Sequence, residues 1–172
     1  MNSFLRILFG LFSLSLVFCL CACKYRLAGT AQPLPFKTIA LAQVVNDSYA
    51  PQAASPLNTQ LAAMLSQAPA LELVALGDSQ AVLEVELDDY TKQIFATKES
   101  DTALASAITV TLTANCSLKD LRTGKYLFKD RRVSVSNHVY DANGLLNAEY
   151  QNMTVLTREL AKRIVDQVLG VW

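Results

Sequence analysis

From Ile108 to Leu118 apolar and polar residues alternate without a break: Ile108, Val110, Leu112, Ala114, Cys116 and Leu118 against Thr109, Thr111, Thr113, Asn115 and Ser117. Successive side chains of a strand point to opposite faces. The run therefore predicts a long strand in an antiparallel sheet that is packed on one face and solvated on the other. Leu83, Val85 and Leu87 against Glu84, Glu86 and Asp88 repeat the pattern with an acidic outer face. Asp120 to Gly124 supplies a hairpin loop, after which Tyr126 to Val135 returns. Within that return the phase slips, since Tyr126 and Phe128 are apolar at even positions and Val133 and Val135 at odd ones. A change of face inside a strand predicts a β-bulge, placed at Lys129 to Arg132.

The remaining elements follow from spacing and punctuation. Phe36 to Val45 reads as a first strand, and Ser55-Pro56 as a helix start with the serine as N-cap. Leu57, Leu61, Met64 and Leu65 continue that helix and Pro69 ends it; Leu71 to Leu76 reads as another strand. Asp141 to Gly144 breaks the chain before the longest periodic element, Leu145 to Leu169, an amphipathic helix with Tyr150, Met153, Leu156, Leu160, Ile164 and Val168 in its stripe. The expected fold class is α+β: a mostly antiparallel sheet of four to five strands, with mixed pairing allowed, and two helices packed on one face.

The N-terminus carries a different signal. Arg6 precedes an apolar run from Ile7 to Leu20, which closes on Leu20-Cys21-Ala22-Cys23. A short basic region, an apolar region and small residues before a cysteine read as a lipoprotein signal peptide over residues 1–22, with Cys23 as the lipid-bearing first residue of the mature chain. The competing reading is an uncleaved membrane-spanning helix. Lipid attached through the Cys23 sulfur, with a further acyl chain on the freed amine, would give stable anchoring, since single chains bind only marginally. Lys24 follows where an aspartate would favour retention in the inner membrane, which points to the outer membrane. Residues 23–35 read as a tether with Gly29, Pro33 and Pro35, and 36–172 as one periplasmic domain. With 15 basic and 15 acidic residues the chain has no net charge, which argues against nucleic acid as a partner. Removal of the signal leaves Cys116 as the one cysteine thiol, expected to be a buried, inert hydrophobe; pairing with another chain is the alternative.

Catalytic constellations are missing from the sequence, so a protein that is not an enzyme, with no cofactor or metal, is expected. His138 is the one histidine and reads as a surface residue, and Asp88-Asp89 as a solvated strand end. The candidate ligand-binding residues are Lys129, Arg131 and Arg132. In strand geometry Lys129 and Arg131 share a face and could clamp phosphates; the other reading is a charged strand edge that discourages aggregation. Lys92 and Lys98 form a weaker pair.

Cys23-Lys24-Tyr25-Arg26-Leu27-Ala28-Gly29 resembles the Cys-Gly-Tyr-x-Leu/Phe-x-Gly opening of the LptE family, lipopolysaccharide-assembly lipoproteins of Gram-negative outer membranes. The order of tether, strand, helix, long alternating strands and C-terminal amphipathic helix is similar to that family too, and Lys24 departs from it where glycine is usual. The resemblance implies an outer-membrane lipoprotein on the periplasmic side, acting as plug and assembly partner of an LptD-type β-barrel and contacting lipopolysaccharide. It carries no ligand residues over. The alternative is a periplasmic lipoprotein that activates a cell-wall synthase or binds a small ligand.

Overall fold

The computed structural model describes residues 34–98, 101–140 and 145–170. Cys23 and the signal peptide lie outside the described residues. The elements run β1 (Thr38–Leu41), β2 (Val45–Asn46), a 3-10 turn (Pro51–Ala53) leading into α1 (Ala54–Gln67), β3 (Glu72–Leu73), a second 3-10 turn (Leu76–Asp78), β4 (Ala81–Lys98), β5 (Asp101–Asp120), β6 (Tyr126–Tyr140) and α2 (Leu145–Leu169). They form one six-stranded sheet in the order β3-β1-β4-β5-β6, with β2 also paired to β4. The three long strands are antiparallel, whereas β1 and β2 run parallel to β4, and β3 runs parallel to β1. The fold is thus α+β with a mixed, mostly antiparallel sheet.

Both helices cover the apolar face. Leu57, Leu61 and Leu65 of α1 and Met153, Leu156, Leu160, Ile164 and Val168 of α2 join Leu83, Val85, Leu87, Val110, Leu112 and Leu118 in one core. Among the described residues no helix is long and apolar enough to cross a membrane.

Two local expectations are corrected. Ser55 does not cap α1; the 3-10 turn at Pro51 runs straight into the helix, whose N-cap is Ala53 without a side-chain hydrogen bond. Pro56 then sits in the first turn, where backbone N–H groups lack helical partners and its missing donor costs little. The first strand, expected over Phe36 to Val45, is two short strands separated by three residues, the first of which, Ala42, still donates to the Leu83 carbonyl (2.9 Å).

The bulge expected at Lys129 to Arg132 is present. Cys116 pairs with Arg131 and Leu118 with Phe128, so Lys129 and Asp130 together face Ser117. Asp130 has φ +49°, left-handed backbone that aspartate tolerates better than most side chains. Its N–H donates to Ser117 Oγ (2.9 Å), which satisfies the group that the bulge removes from the ladder. A second shift lies in β4, where Leu87 pairs with Ala114 and Asp89 with Thr113. Beyond it Tyr90 takes over the inward direction that Leu83, Val85 and Leu87 hold before it.

Candidate interaction surface

The bulge decides where the basic residues of β6 point. Register partners share a face, so Arg131, opposite Cys116, lies on the helix side, and Arg132, opposite Asn115, lies on the open side. Arg131 is tied into the packing: its guanidinium stacks 4.5 Å from the Phe128 centroid, and Nη1 donates to Gln167 Oε1 of α2 (2.8 Å). Lys129 stays on the open side beside Tyr126, 5.6 Å from that ring centroid and 3.8 Å from Asp130 Oδ2. The shared face expected for Lys129 and Arg131 is therefore corrected: the extra residue of the bulge turns them to opposite sides. Lys129 and Arg132 are the two that share the open face.

Neither is strongly held there. Arg132 Nη2 lies 3.6 Å from Asp88 Oδ2, and both side chains are largely exposed. Exposed pairs at such separations contribute about 0 to 1 kcal/mol, so both cations stay available to a partner. The surroundings are acidic. Glu84, Glu86 and Asp130, with Lys129, Tyr126, Asn115 and Ser117, line an open cavity of about 390 Å³ between the β1–β2 segment and β6. The Glu86 carboxyl is held above the usual carboxylate range, chiefly by a hydrogen bond with Asp47, then by burial and by the negative charges of Asp47, Asp88 and Asp130.

Further along the same face lies a neutral polar stretch. Thr111 and Ser136 share a hydroxyl hydrogen bond (2.8 Å), and Thr109 Oγ1 lies 3.0 Å from His138 Nδ1. His138 is exposed and stacks on Phe95 with centroids 4.5 Å apart. Cross-strand pairs of this kind hold a sheet together without covering it. Phe95, three residues before the end of β4, and Tyr140, the last residue of β6, are both more than half exposed at this side.

The helix face tells a different story about the second lysine pair. Lys92 lies beyond the β4 shift and points to α2, its Nζ 2.7 and 2.8 Å from the two oxygens of Glu149. Tyr90 donates its hydroxyl to the same carboxylate (2.6 Å), and burial, then this hydrogen bond and the Glu149 charge, push the phenol above its ordinary range. Lys92 is thus part of a clasp between β4 and the start of α2; the side chain of Lys98 lies outside the described residues. Sequence spacing missed this clasp because the inward phase of β4 changes at Asp88-Asp89. Tyr90 against odd-numbered Leu83, Val85 and Leu87 is the one trace of it.

Cys116 is fully buried, donates to the Arg131 carbonyl (3.2 Å) and has its thiol pushed up to about 11 by burial, partly opposed by the Arg131 charge. A thiol held that high is a poor nucleophile at neutral pH. Among the described residues no group of three or more His, Cys, Asp or Glu could hold a metal ion. Among the described residues the sheet is covered by helices on one side and presents polar and charged groups on the other.

Comparison with known proteins places this arrangement. No curated protein matches the sequence. Solved structures share the fold: a minor lipoprotein from Acinetobacter baumannii (18% identity, 78% of this chain and 94% of that one, TM-score 0.53) and an uncharacterized lipoprotein B from Nitrosomonas europaea (16%, 84% and 87%, 0.53). A protein from Xanthomonas campestris is similar over 83% of this chain and 89% of its own at 10% identity, TM-score 0.59. At these identities the likeness speaks for the fold alone. The sequence profile of the LptE family, described as lipopolysaccharide-assembly, matches residues 36–169, which takes in every strand and helix described above. The chain therefore belongs to the LptE family.

Proposed function

We propose that the protein is a non-enzymatic lipoprotein of lipopolysaccharide assembly, anchored in the outer membrane through lipid on Cys23 and docked by its open sheet face against an LptD-type β-barrel. The observation that carries this reading is the family match over the whole domain. It is supported by a long polar sheet face that neither helix covers. A partner with a polar lumen suits such a face, because the threonine, serine and asparagine side chains of β5 and β6 exchange water for hydrogen bonds without stranding charge. Lys129 and Arg132 are the open-face cations proposed to meet phosphate groups of lipopolysaccharide, by charge-assisted hydrogen bonds. Arg131, engaged with Phe128 and Gln167, supports them by fixing the bulge.

The test is affinity purification of the acylated protein from gently solubilised outer membranes. A stoichiometric β-barrel partner, lost when Thr111 and Ser136 are both changed to lysine, is the expected result. Co-purification with a cell-wall synthase in place of a barrel would overturn the assignment. Metabolic fatty-acid labelling should vanish in Cys23→Ala; label that persists would put the anchor elsewhere.

A further inference from the structure

Among the described residues β6 is paired on one side alone, with β5, so its other side is a free edge of the sheet. Two hydrogen bonds show which backbone groups line that edge. The Ser134 carbonyl accepts from Arg163 Nη1 of α2 (2.6 Å), and the His138 N–H donates to Asn137 Oδ1 (2.9 Å), so neither group is spent on β5. In an antiparallel pair the residues bonded to the neighbouring strand alternate with residues that are not. Arg132, Ser134, Ser136 and His138 therefore turn their N–H and C=O groups outward.

The two halves of this edge differ in chemistry. Towards the hairpin, the bulge and the charges of Lys129, Asp130, Arg131 and Arg132 make a poor template for another strand. From Val133 to Val139 the strand reads Val-Ser-Val-Ser-Asn-His-Val, without proline, glycine, lysine, arginine, aspartate or glutamate. Ser134, Ser136 and His138 are exposed within it. An uncharged, β-prone stretch on an open edge invites pairing with the same stretch of a second copy.

In this half α2 supplies what the strand lacks. It runs back along β6, with Gln167 bonded to Arg131, Arg163 to Ser134 and Asn152 to Asn137 (2.8, 2.6 and 2.5 Å). Asn137 Nδ2 donates to Asn152 Oδ1, which holds the amide so that its own oxygen meets the His138 N–H. Arg163 stands in an open hollow of about 320 Å³ beside Arg132, Val133, Ser134, Asp166 and Gln167. A strand laid along Ser134 would have to displace a charged donor from the carbonyl, and such bonds are stronger than the neutral ones of a ladder.

We propose that Arg163 and Asn137, both bonded across the β6–α2 boundary, guard the free edge of β6 and keep a second copy of this chain from adding to the sheet. Between the two capped groups lie the Ser134 N–H and both backbone groups of Ser136, a row too short to hold a ladder. The guard acts whichever partner meets the open face of the sheet.

The experiment measures self-association of the full-length chain in detergent solution by sedimentation velocity, with circular dichroism as the check on folding. Arg163→Ala/Asn137→Ala is expected to associate at least about tenfold more tightly than wild type, since each copy loses a cap on its edge. Arg163→Lys, which keeps a charged donor, should stay close to wild type. Ser136→Pro, added to the double variant, should reverse the association, because it removes an outward N–H and leaves the bonds to β5 in place. A short bismaleimide should join two copies through Ser134→Cys in the double variant and not in the guarded chain, each compared with the same chain lacking that cysteine; Cys116 is buried. A folded double variant that associates no more than wild type would overturn the inference. Association without the Ser134→Cys crosslink would place the contact elsewhere and overturn it too, and this readout decides the matter if the proline variant does not fold.

Discussion

Strand β5 belongs to two environments at once. Val110, Leu112, Ala114, Cys116 and Leu118 are fully buried under the helices, whereas Thr109, Thr111 and Asn115 on the reverse are partly open to solvent. The same backbone therefore supports a face whose removal from water drives folding and a face whose polar groups contribute little to stability. Stability lies on the first face, and the proposed recognition on the second. The charged residues follow that division: Lys92 and Arg131 on the helix side are bound to Glu149 and Gln167 at short distances, while Lys129 and Arg132 on the open side lie farther from their counter-ions Asp130 and Asp88.

The largest effect that separates the two faces is expected in the core. Leu160→Ala, at a position with no exposure, should cost about 2 to 5 kcal/mol, whereas Thr111→Ala on the open face should stay within about 0.5 kcal/mol. Denaturant midpoints check both, and similar shifts would break the comparison. A smaller effect is expected at the clasp. Glu149→Ala leaves the Tyr90 hydroxyl without its acceptor and Lys92 without its counter-ion, at a cost of about 1 to 3 kcal/mol. Glu149→Gln should recover part of it, because the amide oxygen still accepts from Tyr90. Hydrogen exchange would show the loss first in the opening turns of α2, since Glu149 sits near its start.

The smallest effects distinguish carboxylates by sign. Asp120 is held below its ordinary range, first by the Arg122 side chain and further by backbone N–H groups. Its contribution is present above its unfolded value, about 3.9, and is lost as pH falls through the lower folded one. Asp120→Asn should abolish that part of the acid loss. Glu86, held high, works in the opposite direction: its charge opposes folding at neutral pH and the penalty disappears on acidification. Glu86→Gln should therefore gain stability at neutral pH, by less than about 0.5 kcal/mol, and the gain should vanish below about pH 4. Urea titrations across that range read both signs.

What could be seen in the sequence divides along the same line. The alternation in β5, the hairpin at Asp120 to Gly124 and the helix over Leu145–Leu169 were legible because burial of one face imposes a period of 2 or 3.6 residues. The bulge was legible as a phase slip, yet the turn it gives Arg131 was not, since residues two apart in an unbroken strand share a face and across a bulge they do not. The shift at Asp88-Asp89 left a weaker trace, because Lys92 and Ile94 beyond it do not read as an apolar face. β3 was read too long, over Leu71 to Leu76 where it spans Glu72–Leu73 before a 3-10 turn, and β2 was merged with β1, because two-residue strands carry too few side chains to mark where a period ends. The open face was legible as polar, but polarity alone names no partner.

The open face, not the helix face, is proposed to meet the outer-membrane partner. A photo-crosslinking residue placed at Thr111 on the open face, and in a parallel strain at the exposed Lys162 of α2, tests this directly in intact cells. A crosslink to an outer-membrane β-barrel is expected from position 111 and none from position 162. Crosslinks to a barrel from 162 alone, or from neither position while Cys23 is acylated, would contradict it.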